Sequence, residues 1–410
     1  MRFRTVPLLL LLCILIAPDS AMAAGFRLPD QSASALGMAG AFAGQADDAS
    51  AAWYNPAGMT RLSGSRIAAG ATAIYPVLTH ETPSGQTDVS AREIHLPVHA
   101  YATSSLSERS AIGLAVTNPF GLSTGWSNLS ATRYVSTFSK IVATEINPSV
   151  AYQLTPDLSL SAGVAYISMR ATMEKIVRVL LPGPIDLGDH NFRLAGDGDG
   201  WGANAAALYQ ASQKLGIGLT YRSRIKVDLD GNADLTGVLT VPGSGKASIT
   251  LPDLIDLGLS YQTSEKLRLN ADIDYTMWST YDRLVIESNV PSFSTTIEKQ
   301  WKDAWCLRFG AQYAASEQWK FRGGLVYDKS PVPDAYFDSA VPDSDRAGVT
   351  VGIGYARKSY SIDAAYMYLR FLDRTISNSL ADDLTPTPTA LNGTYRSQAH
   401  MLALTVGYHF

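Results

Sequence analysis

The chain has 410 residues, 46% of them hydrophobic and 17% charged, with a formal net charge of −4. So mild a charge argues against a nucleic-acid binder or a protein drawn to anionic surfaces. The charged share lies below the ~25% of soluble domains, yet beyond the N-terminus no run of ~18 apolar residues could form a transmembrane helix, and a transmembrane β-barrel accounts for both facts.

Residues 1–23 read as a secretory signal peptide. Arg2 and Arg4 form the basic region, residues 6–17 the apolar core, and Ala21-Met22-Ala23 a small-x-small cleavage site. Cys13 follows three leucines, but cleavage at a lipoprotein box there would leave too short an apolar core. Removing the segment takes away a net +1 and leaves about −5. Cys306 is then the lone cysteine, so no intramolecular disulfide forms, and it reads as a small apolar filler.

Residues 24–62 are rich in Ala, Gly and Ser and lack the alternation that fills the rest of the chain. They carry no charge run that would make them a disordered tail. Asp47 or Asp48 can cap a short helix through residues 49–54, and Pro56 ends it. Residues 32–42 are a second, weaker helical segment. Small compact pieces of this kind suit the inside of a barrel, so this segment is expected to be a hatch.

Residues 63–410 alternate with period two. Leu215, Ile217, Leu219, Tyr221, Ile225 and Val227 oppose Gly216, Gly218, Thr220, Arg222, Arg224 and Lys226. A soluble sandwich would alternate in the same way, so the connections decide. Short turns at 105–109, 155–157, 211–214, 263–266, 315–318 and 356–359 alternate with long connections at 81–90, 119–131, 176–200, 231–248, 288–298, 328–344 and 373–394. Tight periplasmic turns and long extracellular loops give that rhythm.

Fourteen strands follow, near 64–80, 91–104, 109–118, 132–154, 158–175, 201–211, 214–230, 249–262, 266–287, 299–314, 318–328, 345–356, 359–372 and 395–410. The even number puts both barrel ends on one side. The last segment alternates to Phe410, which resembles the assembly signal of outer-membrane proteins. Trp126, Tyr134, Trp278, Tyr281, Trp301, Trp305, Trp319 and Tyr366 lie near strand ends and are expected in interfacial girdles.

The mature chain resembles the FadL-type long-chain fatty acid transporters of bacterial outer membranes. The resemblance rests on Ala24-Gly25-Phe26, on residues 37–44, on Asp47-Asp48-Ala49 with Asn55-Pro56-Ala57, and on Glu145-Ile146-Asn147-Pro148. It continues through residues 216–223, Leu251-Pro252-Asp253, Lys302-Asp303-Ala304-Trp305, residues 327–333 and residues 341–346. It implies a fourteen-strand antiparallel barrel plugged by a small N-terminal helical hatch. It also implies uptake of hydrophobic small molecules that bind at the hatch N-terminus. Release is then through a lateral hole at a kink in the third strand, facing Asn55-Pro56-Ala57.

The residues fit that implication. Phe26 and Leu28 are apolar groups that could line a pocket. Pro119 cannot donate to a sheet ladder and Gly121 favours a bulge, so a wall break is expected near Asn118-Pro119-Phe120-Gly121, where the plainer reading is the start of a loop. A fatty-acid carboxylate would seek a basic residue inside. By resemblance Lys302 and Arg170 match ligand-contacting positions. Lys302 is on the polar face of its segment and is expected to point inward. Arg170 shares a face with Leu160, Ala162, Val164 and Tyr166, so either a bulge shifts it or it lies above the membrane and bends in. Asp345 is a further ligand-site residue.

Two rival classes have little support. A polar porin would need an open eyelet and no plug. A lipase-like barrel needs a serine, histidine and acid in reach, and His95 and His99 have no nucleophile near them in sequence. Asp197-Gly198-Asp199-Gly200 lacks the remaining ligands of a calcium loop. The expectation is a monomeric outer-membrane protein without catalytic residues, metal or cofactor. Its partners are a hydrophobic small molecule and membrane lipid, not nucleic acid. Fatty acid and aromatic hydrocarbon remain open as cargo.

Overall fold

The computed structural model describes residues 25–181, 183, 185–378 and 391–410. The signal segment and Ala24 lie outside the described residues. Fourteen antiparallel strands form the wall: β1 (Ser65–Glu81), β2 (Val98–Ser105), β3 (Ser110–Gly125), β4 (Phe138–Thr155), β5 (Leu158–Leu181), β6 (Ile185–Ser212) and β7 (Leu215–Arg222, continued by Ile225–Thr236). They continue as β8 (Ser244–Leu251 and Leu254–Gln262), β9 (Leu267–Thr276 and Arg283–Ser288), β10 (Thr295–Glu298 and Ala304–Ala314) and β11 (Trp319–Asp328). The last are β12 (Arg346–Arg357), β13 (Tyr360–Phe371 and Arg374–Ile376) and β14 (Gly393–His409). Each pairs with its neighbour, and β1 pairs with β14 from Arg66↔His409 to Glu81↔Thr394, closing the ring.

Ring closure pairs the first strand with the last, the condition for a sheet to span lipid. β5 and β6 run for 24 and 28 residues, so the expected loop at 176–200 is largely a projecting hairpin. The extra length exceeds the ~9–11 residues needed to cross a bilayer. Outward positions carry the apolar band, including Ile146, Val150, Leu160, Val164, Leu257 and Leu404, all exposed. Aromatic residues bound it on both sides: Tyr166 with Trp201 above, and Tyr152, Tyr209, Trp319 and Tyr408 near the short turns. Trp126, Tyr134, Trp278, Tyr281 and Trp301 are not girdle residues; all five are buried within the protein. They follow strand ends into the long loops, where period-two parity no longer sets direction.

Residues 25–62 occupy the lumen. Their helices are shorter than the sequence predicts: α1 (Ala33–Leu36), α2 (Ala51–Tyr54) and a 3-10 helix (Pro56–Arg61). Asp48 steadies the start of α2 by accepting from Ser50 N at 2.8 Å. Asn55 turns extended and ends it, its side chain accepting from Ala57 N at 3.2 Å. Wall charges tie the hatch down through its backbone. Asp272 accepts from Phe42 N and Ala43 N at 2.8 and 2.9 Å. Arg308 donates to Ala39 O at 2.7 Å and Arg222 to Trp53 O at 2.6 Å. Such charge-assisted bonds are roughly twice as strong as neutral ones.

The hatch backbone passes close to the wall because five inward positions on neighbouring strands are glycine: Gly218, Gly258, Gly310, Gly324 and Gly352. A Cβ on Gly218 would stand 2.1 Å from Ala43 O. Gly218→Leu is therefore expected to unseat the hatch while the wall still closes. In planar bilayers the variant should pass a steady ion current at least tenfold above the parent protein, and an unchanged trace would refute this.

Candidate functional site

The alternation of β3 fails at Asn118-Pro119. Its register with β4 runs from Ser110↔Tyr152 to Thr117↔Glu145 and resumes at Phe120↔Ala143, so two residues of β3 oppose one of β4. This is a β-bulge, and Pro119 has no N–H to offer the ladder. The other edge of β3 pairs with β2 only from Ala100↔Val116 to Ser105↔Ala111. Above that the chain before β2 turns to β1 instead, with Ile74 and His95 exchanging backbone bonds of 2.8 and 2.9 Å. The wall is thus unpaired beside residues 118–121 until Ala91 N reaches Gly125 O at 2.8 Å.

The start of the hatch fills that gap. Leu28 N donates to Pro119 O at 2.8 Å and Gly121 N to Phe26 O at 2.9 Å. Gly121 permits this approach, since a Cβ there would meet Leu28 Cδ1 at 2.8 Å. Asn118 fastens the frame: its Oδ1 accepts from Val98 N at 2.9 Å and its Nδ2 donates to Ala143 O and Thr144 Oγ1, each at 2.9 Å. Gln31 then clamps the Asn118 backbone, donating to its O at 2.9 Å and accepting from its N at 3.1 Å.

Two apolar cavities meet at Phe26. The larger, about 370 Å³, is lined by Phe26, Leu28, Phe120 and Gly121 and reaches the wall at Ile94 and Leu96. These last two are 64% and 63% exposed, so the cavity opens on the lipid side. The inner one, about 80 Å³, is lined by Met169, Leu229, Leu284 and Ile286. Phe26 lines both and is itself only 2% exposed. Its ring packs against Trp278, Trp301, Tyr281 and Phe120, with centroids 4.7, 5.7, 6.0 and 6.1 Å away.

Charged groups hold this segment at its flanks. Arg27 pairs with Asp274 at 2.9 Å, and Asp274 also accepts from Arg308 at 3.0 Å. Asp343, in the β11–β12 loop, accepts from Gly25 N at 3.1 Å and from Ser330 Oγ at 2.7 Å. Burial pushes its carboxyl up to about 6. Lys299, buried in the loop within β10, borders the inner cavity and pairs with Asp338.

Phe26 and Leu28, expected in a pocket, lie against Pro119 and Gly121 at the break, where the sequence reading set Asn55-Pro56-Ala57 instead. The other expected residues do not join them. Lys302 is exposed, while Trp301 points inward. Residues 299–303 precede the strand piece Ala304–Ala314, and Gln300 has a φ of 48°, so parity does not extend back to Lys302. Arg170 stays on the outer face without a bulge, opposite Val142 and Asp197. Asp345 is taken up by Lys329 at 2.6 Å and Ser330 N at 3.0 Å. Asn55-Pro56-Ala57 does not face the break, because Asn55 Nδ2 donates to Ala43 O and to Ala207 O on β6 at 2.9 and 3.1 Å. Gln31, Asn118, Asp343 and Lys299 were not singled out from the sequence. Asn118 adjoins the Pro119 break, and Asp343 belongs to the same resembling stretch as Asp345.

Known proteins match most of this chain's length. A family model for outer membrane protein transport proteins (OMPP1/FadL/TodX) matches residues 14–410. The long-chain fatty acid transport protein of Escherichia coli O157:H7 is 27% identical, over 88% of this chain and 91% of that one. Outer membrane protein P1 of Haemophilus influenzae is 26% identical over 98% of both. Among solved structures, a Pseudomonas aeruginosa FadL homologue superposes with a TM-score of 0.85 at 20% identity, covering 94% of this chain and all of that one. The Pseudomonas putida toluene transporter TodX gives 0.74 at 18%, covering 95% and 99%. With a barrel, a lumenal hatch and a match that runs nearly end to end, the chain belongs to the OMPP1/FadL/TodX family of outer membrane transport proteins.

Proposed function

We propose that this protein carries hydrophobic small molecules across the outer membrane by passing them sideways through its wall into the lipid. Residues 24–62 serve as the hatch and residues 63–410 as the wall of a monomer. Cargo enters from the long-loop side, reaches the inner cavity, displaces Phe26 and leaves through the break beside β3. The observation that carries this reading is the seal itself: the hatch start covers a broken strand edge with two backbone bonds, between an apolar cavity and the lipid-facing surface. At about 80 Å³ the inner cavity is far below the ~300–1,000 Å³ of ligand sites, so cargo must move Phe26 to fit.

Long-chain fatty acid is the first cargo. Relatives named for fatty acid transport support it, and so does Lys299, whose buried ammonium can exchange Asp338 for a ligand carboxylate. An aromatic hydrocarbon is the second, favoured by the rings of Phe26, Trp278, Tyr281 and Trp301. The test is uptake of radiolabelled oleate and toluene by cells that lack their own transporter. The parent protein should restore uptake of at least one, and Lys299→Met should lower oleate uptake about tenfold while sparing toluene, as expected for one lost charge-assisted bond of ~1.5–3 kcal/mol. Uptake of neither above an empty-vector control would sink the proposal.

A further inference from the structure

The long loops roof the lumen with apolar side chains. Val332 and Phe337 of the β11–β12 loop, Ile376 at the upper end of β13 and Tyr395 at the start of β14 are all buried. They belong to one cluster with Met169, Leu229, Leu284 and Ile286 of the inner cavity. Phe337 packs on Tyr395 with ring centroids 4.6 Å apart, and the Arg374 guanidinium stands 5.0 Å from the Phe337 ring. Tyr395 is in turn stacked on His80, with centroids 4.3 Å apart and planes 14° from parallel. His80 lies one residue before the end of β1. The 17 residues of that strand exceed the ~9–11 that cross a bilayer, so His80 stands above the membrane among the loops.

His80 is fully buried, and its surroundings suit only the neutral ring. Nε2 lies 3.0 Å from Asn392 O, and a carbonyl only accepts, so Nε2 carries the proton. Gly393 permits this approach, since a Cβ there would stand 2.8 Å from Nε2. Nδ1 has no hydrogen-bond partner among the described residues. The carboxylate that faces it, Asp88 Oδ2, is 3.9 Å away and already accepts from Ala131 N at 2.8 Å. Asp88 Oδ1 accepts from Gln86 Nε2 at 3.0 Å. The other charges around the site are engaged elsewhere: Glu81 with Arg396 at 2.7 Å, Asp338 behind Tyr395 with Lys299, and Arg374 with Asp334 at 2.6 Å. A proton on Nδ1 would therefore place a charge in a closed site with no acceptor in hydrogen-bond range. Burial pushes the His80 pKa down, against the smaller pulls of Asn392 O and Asp88.

We propose that His80 is an acid-released latch of the extracellular roof. Neutral, it holds Asn392 and Tyr395, and through Tyr395 the loop that carries Phe337. Protonated, the ring leaves its site and the roof loosens over the inner cavity. The sign follows from linkage. A histidine kept neutral in the closed loops but free to charge in the opened ones gives the closed state its full stability above the ordinary value of about 6.5, and that stability is lost as pH falls below it. The latch governs access to the lumen and does not depend on what the protein transports.

The test is amide exchange of the full mature protein in detergent, read by mass spectrometry over residues 331–342 and 391–396 and corrected for the intrinsic effect of pH. Between about pH 7.5 and about pH 5.5 the parent should exchange up to about tenfold faster there, the limit for one proton over one pH unit below ~6.5. Asp343 titrates in the same range, so the reference is His80→Phe, which keeps the stack on Tyr395 and cannot take a proton. Its roof should lack the acid acceleration that the parent shows, and His80→Gln should behave alike. Asp88→Asn removes the nearby negative charge and should steepen the acid response. Equal pH dependence in the parent and both His80 variants would overturn the proposal. So would slower exchange of the parent in acid, which would mean that Asp88 closes on the charged ring and tightens the roof. Heat-modifiable gel mobility confirms that each variant is folded.

Discussion

Deletion of Pro119 is expected to abolish uptake while leaving a folded barrel. The bulge places Asn118 and Pro119 against the single Thr144 of β4. Removing one residue lets Thr117↔Glu145 run on through Asn118 to the pair Phe120↔Ala143 without a gap. The side chains then alternate as a strand requires, with Thr117 and Phe120 inward on either side of Asn118. The bulge then has no further cause, and β3 can pair with the chain before β2. We expect transport of labelled substrate to fall more than tenfold. The shortened barrel should show unchanged or higher thermal stability and normal heat-modifiable mobility. Parental uptake in such a well-folded variant would mean that cargo does not leave beside β3.

Phe26→Ala is expected to act in the opposite sense. The side chain is 2% exposed and lies among four aromatic partners. Truncating a buried Phe costs about 3–5 kcal/mol. The loss falls on a segment held to β3 by two backbone bonds and the Gln31 clamp on Asn118, none of them part of the barrel ladder, so it appears as local release rather than unfolding of the wall. A shift of about 3 kcal/mol corresponds to roughly a hundredfold change in the open-to-closed ratio. Amide exchange at Gly121 should accelerate by about that factor, and cells carrying the variant should become sensitive to apolar antibiotics. Unchanged exchange at Gly121 would show that Phe26 does not hold the seal.

The wall was legible in the sequence and the seal only in part. Strand number, turn rhythm and the break at Pro119 follow from residues near one another in the chain, where period and proline chemistry act. Parity even placed Arg170 outward, against its resemblance to ligand-binding positions. The same parity failed at Lys302, because the regular strand begins only at Ala304 and Lys302 lies in the irregular stretch before it, two residues past the left-handed Gln300. The seal joins residues far apart: Gly25 with Asp343, Gln31 with Asn118, Arg27 with Asp274. No local pattern carries such pairings. Asn55-Pro56-Ala57 was set against the break because both interrupt regular structure, but its asparagine serves the hatch's own course and β6.

The inward glycines on β7, β8, β10, β11 and β12 amount to a cast of the hatch taken in the wall. Each marks a place where the inner backbone passes too near for any side chain. Hatch and wall are therefore not free to diverge independently. A relative with bulky residues at these five positions must route its plug along another course or leave its lumen open. The outline of a plug can thus be read from a barrel whose own N-terminal segment has been lost.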